Sequence, residues 1–126
     1  METTQQQNES YTVAWISALP VEQAAAQGMF DEQHPQLPAA KGDTNNYRLG
    51  RIGEHNVVIA ILKSGVPGTT AAAVAATNLL NSFPNIRFGF MVGVGGGAPG
   101  KPKDNPQKDL RLGDVVVGTP TGAFCR

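Results

Sequence analysis

The sequence has one cysteine, no net charge and no long apolar run. A single thiol, Cys125, excludes an internal disulfide and a cysteine-built metal cluster, and it fits a reducing compartment. Ten basic residues balance ten acidic ones, so no field draws the chain towards a nucleic acid or an anionic membrane. The longest apolar stretch, around residues 86–94, falls far short of the roughly 20 residues needed to span a bilayer. "METTQQQNES" lacks both the basic start and the apolar core of a secretion signal, and residues 1–10 read as a disordered polar tail. A soluble, cytoplasmic protein is expected. The Gly-Lys-Ser/Thr of a P-loop is also missing, and neither His34 nor His55 has a second ligand at metal-binding spacing.

What remains is ordinary globular material: 126 residues, 40% apolar and 16% charged, with 15 glycines and 9 prolines. That is enough for one small domain with a core. "YTVAWISAL" (11–19) is β-branched and apolar almost throughout, as a strand buried on both faces would be. Pro20 suits the first turn of a helix, and Val21, Ala24, Ala25 and Met29 recur at helical spacing after it. Residues 31–46 read as a loop. Residues 47–65 read as two strands around a turn at Gly53–Asn56. A second helix follows, with Thr69 or Thr70 as its cap and Ala72, Ala76, Leu79, Leu80 and Phe83 on one stripe. Pro84 and Asn85 stop it. "IRFGFMVGV" (86–94) reads as another buried strand and "DVVVG" (114–118) as a last short one. Strands alternating with helices give an α/β class with a largely parallel sheet. Two helices are few for both faces of such a sheet, so the chain reads as the first half of a larger domain.

Gly93-x-Gly95-x-x-Ala98 fits a dinucleotide fingerprint, with Asp114 near the position of a ribose-binding acid. Such a turn must open directly into a helix whose N-terminus holds the pyrophosphate. Pro99, Pro102 and Pro106 forbid a helix there, since an interior proline costs about 3 kcal/mol. Two readings survive. The glycines permit a sharp exit from the strand, or they let a flat ligand approach the backbone beyond the strand's C-terminal edge.

Two further loops follow predicted strands. In "ISALPVE", Glu22 falls in the first turn of the first helix. There it complements the helix dipole, or it orients and deprotonates a water. In "KSGVPGTTAAA", Ser64 and Gly65 end a strand just ahead of a helix start whose free N–H groups suit a phosphate or a sugar hydroxyl, or need only capping. In a parallel arrangement these loops and the glycine run gather at one edge of the sheet. His34 and His55 read as surface residues, and Lys101, Lys103, Lys108 and Arg111 as a solvated loop.

"ISALPVE", "LKSGVPGTTAAAVAATNLL", "FGFMVGVGGGA" and "LGDVVV", in that order, resemble the N-terminal half of the nucleoside phosphorylase and nucleosidase family. The form is the one found at the front of fungal multidomain proteins, ahead of NACHT and ankyrin or TPR repeats. The resemblance covers about residues 11–122 and implies a three-layer α/β/α fold with a mixed sheet, residues 11–126 being its N-terminal half. It implies cleavage of the N-glycosidic bond of a purine nucleoside, in nucleoside metabolism, by water or by phosphate. Glu22 matches the acid that holds the nucleophilic water. Ser64 and Gly65 match the ribose or phosphate side of the site, and Val94, Gly95 and Gly96 the strand end beside base and sugar. Asp114 matches a structural position at the start of the next strand. No resident cofactor or metal is implied, and phosphate enters only as a co-substrate. The partner implied is a small-molecule nucleoside, with neither nucleic acid nor membrane, and a homo-oligomer is expected if the full domain is present. "ALPVE" is similar to the hydrolytic branch, since the phosphorylase branch's early Gly- and Arg-containing loop is missing. The family's ribose-gripping glutamate and base-protonating aspartate lie in the C-terminal half, so these residues alone are expected to be inactive. A nucleoside-sensing module without turnover is the alternative.

Overall fold

A computed structural model describes residues 7–62, 68–96 and 111–118 of the chain. Two compact units divide it, Met1–Val94 and Gly95–Arg126. Among the described residues, the first unit holds β1 (Val13–Ser17), α1 (Pro20–Gly28), β2 (Glu32–His34), β3 (Asn46–Ile52), β4 (His55–Ile61), α2 (Gly68–Ser82) and β5 (Phe88–Met91). The five strands form one sheet in the order β2-β3-β4-β1-β5. β1 runs parallel to both β4 and β5, whereas β3 is antiparallel to β2 and β4. The class is therefore α/β with a mixed sheet, and the expectation of a largely parallel one holds only for β4, β1 and β5. The tight β3–β4 hairpin imposes the antiparallel half. Ile52 pairs with His55, and Gly53 turns the chain at φ 61°, a conformation that costs glycine no steric strain. β2 lies inside the predicted loop; three residues are too few for a periodic signal.

Alternation along the strands separates two core clusters. Ala14 and Ile16 of β1, Tyr47 and Leu49 of β3, and Val58 and Ala60 of β4 pack with Leu79 of α2, Phe83 and Tyr11. Val57 and Ile59 of β4 pack with Ala26 of α1, joined by Val13, Trp15, Phe30 and Ile52. Leu79 and Phe83 carry the expected α2 stripe, but Leu80 is exposed. For α1 the expected apolar face is the wrong one. Val21, Ala24, Ala25 and Met29 are all exposed, and Ala26 is the buried residue of the helix. The acid side chain of Glu22, four residues earlier and on the same helix face, is tied to the sheet edge.

Aromatic and polar contacts close the first cluster. Tyr11 and Tyr47 meet the Phe83 ring edge-on at centroid distances of 5.5 and 5.1 Å. The Tyr11 hydroxyl pairs with His34 Nδ1 at 2.7 Å, so His34 is half-buried and partnered, not the free surface residue expected. Burial pushes the Tyr11 phenol up to about 12. Tyr47 is raised as well, first by burial and then by its hydrogen bond to Asp43. Within the expected polar tail, Asn8–Ser10 form a 3-10 turn, and Asn8 Nδ2 donates to the carbonyls of Pro38 and Ser82 at 2.8 and 2.9 Å.

Two expectations about strands change. The sequence predicts a buried β5, yet Phe88, Gly89, Phe90 and Met91 are all exposed; among the described residues β5 is an edge strand whose one neighbour is β1. In the second unit, residues 114–118 form no strand. Arg111 and Asp114 instead close a turn, the Arg111 N–H donating to Asp114 Oδ2 at 2.9 Å and the Asp114 N–H to the Arg111 carbonyl at 3.1 Å. Three consecutive valines favour a strand only when a neighbouring strand supplies the ladder.

Candidate functional site

Because β1, β4 and β5 are mutually parallel, the segments that leave them start from one edge of the sheet. Ser17 is level with Ile61, and Ile16 with Met91. The pairing continues past the strands: the Leu62 N–H donates to the Ser17 carbonyl at 2.8 Å and the Val92 N–H to the Ile16 carbonyl at 2.9 Å. In open α/β sheets this carboxyl edge is where ligands bind.

α1 begins there with an unusual cap. Leu19 is its N-cap and Pro20 its first residue. Leucine has no side-chain acceptor for the orphan N–H groups of a first turn, so the acid at the third helical position supplies one. Glu22 Oε1 accepts the Leu19 N–H at 2.8 Å and the Ala18 N–H at 3.3 Å. Oε2 accepts the Val94 N–H, just past the end of β5, at 2.7 Å. The first bond is the acidic half of a capping box; the last joins residues 72 positions apart. The helix N-terminus further favours the negative charge. A carboxylate offers about four lone-pair positions. Three are used among the described residues, which leaves one on Oε2 for an O–H donor at this edge.

Glu22 and Val94 are thus brought together, Val94 through its amide, since its side chain is 81% exposed. Gly93 makes the approach possible: a Cβ there would stand 2.6 Å from Glu22 Oε2. Gly95 and Gly96 belong to the second unit, and a Cβ on either would meet nothing within 4 Å. Ser64 and Gly65 lie outside the described residues.

Sequence reasoning missed Gly93 as a partner of Glu22, and it missed Ser17. Ser17 ends β1 at 1% exposure, and its hydroxyl is buried with no hydrogen-bond partner, as are Trp15 Nε1 and Gln23 Nε2. Alternation puts Trp15 and Ser17 on the face of β1 that packs towards α1. A signal for Glu22 was available: an apolar N-cap followed by Pro-x-Glu leaves the glutamate as the only local acceptor for the turn. Nothing local pointed to Val94 as the second donor.

The fold and site define an α/β chain with a mixed sheet that docks an acidic side chain across its carboxyl edge. No protein-family model matches the chain, and no solved structure matches it. The chain is 50% identical over 114 residues, 90% of its own length, to a nucleotide-binding leucine-rich repeat (NLR)-like protein of the fungus Hyaloscypha variabilis. It spans 11% of that protein's length. Among the described residues no helix is long and apolar enough to cross a membrane.

Proposed function

We propose that this chain is the N-terminal half of a three-layer, phosphorylase-like α/β/α domain that binds a purine nucleoside at the carboxyl edge of β1, β4 and β5, in the cytoplasm. The observation that carries the reading is the Glu22 carboxylate, held by Leu19, Ala18 and Val94 N–H groups with one acceptor position left. That position suits a water or a sugar hydroxyl. In the nucleosidase reaction the water attacks the anomeric carbon of an oxocarbenium-like sugar while the base departs with a proton. Glu22 serves the nucleophile side, orienting the water through Oε2 and accepting its proton. In the family this sequence resembles, the positions matching Val94, Gly95 and Gly96 lie beside the sugar and base, and those matching Ser64 and Gly65 on the ribose or phosphate side.

The acid that protonates the leaving base belongs, in the family this sequence resembles, to the C-terminal half. Without it the rate is expected to fall about 10²–10⁴-fold, so these 126 residues bind without appreciable turnover. A second reading is favoured by the NLR-like relative: the domain senses a nucleoside for a larger signalling protein and never cleaves it.

Titration of the ¹⁵N-labelled chain with adenosine and inosine, with and without phosphate, tests the proposal. Saturable shifts of the Leu19 and Val94 amides are expected, weakened about tenfold in Glu22→Gln through loss of a charge-assisted hydrogen bond. A folded chain whose amides stay unmoved at millimolar nucleoside overturns the proposal. Chromatography of the same samples is expected to show no free base; base accumulating at an enzymatic rate would overturn the inactivity expected of these residues and exclude the sensor.

A further inference from the structure

Gly93 has no side chain, and the place of one is taken. A Cβ built there would stand 2.6 Å from Glu22 Oε2, 3.5 Å from its Cδ and 3.7 Å from Oε1. All three nearest neighbours are atoms of one carboxylate, so any other atom lies at ordinary van der Waals distance. The backbone does not itself require glycine, since the described glycines of positive φ are Gly42, Gly53 and Gly113. Gly95 and Gly96 differ from it: nothing within 4 Å opposes a Cβ at either. Of the described glycines in this run, Gly93 alone has its Cβ position occupied, and the occupying group is the Glu22 carboxylate.

We propose that Gly93 is the positioning residue of Glu22: its missing Cβ is the seat that lets the carboxylate lie across the exit of β5 and accept the Val94 N–H. This rests on the reading of Glu22 as the group that faces the ligand. A methyl at position 93 displaces Oε2, whose side chain is flexible enough to swing away. The Val94 N–H then loses its acceptor, and the free lone pair of Oε2 leaves the sheet edge. Oε1 keeps the Leu19 N–H, because that bond is local to the first turn of α1. The pair therefore works as a two-point clasp in which Glu22 grips its own turn with one oxygen and the end of β5 with the other. Gly93 governs only the second grip. An O–H donor of the ligand is aligned at this edge only while both grips hold.

Gly93→Ala, Glu22→Ala and the double variant of the full chain test this without any nucleoside present. With Glu22 intact, Gly93→Ala is expected to lower the folding constant about tenfold, as loss of a hydrogen bond to a charged acceptor does at a partly solvated site. In the Glu22→Ala background the same change is expected to cost nothing, or to stabilise slightly by restricting the unfolded chain. Amide deuterium exchange gives the residue-level signature. Gly93→Ala accelerates Val94 about tenfold and leaves Leu19 protected, whereas Glu22→Ala accelerates both. A Gly93→Ala chain that fails to fold while the double variant folds is the same coupling in stronger form. Equal cost in both backgrounds, joint exposure of Leu19 and Val94 in Gly93→Ala, or an unmoved Val94 overturns the proposal. Intact coupling with no nucleoside response refutes the ligand reading and leaves the clasp standing.

Discussion

Asp43 accepts three hydrogen bonds, and its replacement by alanine tests how the segment between β2 and β3 is held. One oxygen, Oδ2, accepts both the Tyr47 hydroxyl and the Ser82 hydroxyl. The other accepts the Asn45 N–H at 2.9 Å. Asp43 thereby joins β3 to the last residue of α2, and both hydroxyl-bearing residues are buried, Tyr47 at 6% and Ser82 at 4% exposure. A hydrogen bond to a charged acceptor contributes about 1.5–3 kcal/mol. Two donors converging on one oxygen do not add fully, and each hydroxyl keeps a donor of its own, Asn45 Nδ2 to Tyr47 at 3.0 Å and the Ala40 N–H to Ser82 at 2.9 Å. The expected loss is therefore about 3 kcal/mol for Asp43→Ala and about half that for Tyr47→Phe, which keeps its ring against Phe83. At about 0.05–0.15 kcal/mol of stability per residue, such a loss is a large share of the total. Urea unfolding followed by the fluorescence of Trp15, the single tryptophan, measures it. An Asp43→Ala chain within about 1 kcal/mol of the parent would refute the reasoning, since surface polar contacts cost no more than that.

Two more outcomes follow from buried groups. Tyr11 has its phenol pushed up to about 12 from the ordinary 10.0, so across that interval the unfolded chain has lost a proton that the folded chain retains. Stability is fully present below pH 10 and falls as pH rises through the folded value, by at most about 3 kcal/mol for two pKa units; urea midpoints that stay level from about pH 9 to 12 would contradict this, and Tyr11→Phe should make the profile shallower without levelling it, because Tyr47 is raised as well. Ser17→Ala removes a buried hydroxyl that has no partner, so the variant is expected to equal the parent or to gain up to about 1 kcal/mol; a measurable loss would mean that the hydroxyl is satisfied in solution.

The elements whose signals are local were legible. The β-branched run of β1, the Pro20 start of α1, the hairpin turned at Gly53 and the α2 stripe through Leu79 and Phe83 all lie where period and turn chemistry put them. So does the meeting of strand ends at one edge, because it follows from parallel strands alone. Expectations failed where a residue's fate depends on a distant neighbour. The apolar residues of "FGFM" read as buried, yet burial needs a second partner strand or a covering helix, and among the described residues β5 has β1 on one side only. The three valines after Asp114 read as a strand, yet propensity without a ladder leaves them irregular. β2 exists because β3 offers it an edge, not because three residues announce a strand.

The carboxyl edge divides in the same way. By itself the sequence determined that an acid follows Leu-Pro in the first turn of a helix and that a glycine-rich segment leaves a later strand. A nearest-neighbour rule, the need of orphan N–H groups for an acceptor, is enough for that. Only the tertiary structure decided that the two features are one device. Pairing β1 with β5 in parallel delivers the Val94 N–H to Glu22 across 72 residues, and the empty Cβ position of Gly93 is what that delivery needs. The rotation of α1 was decided there too: Ala26 lies inward and the more apolar Val21 and Met29 outside. The apolar residues of a short helix leave several rotations open, and the strand face it packs against, here Val57 and Ile59, is known only from the tertiary structure.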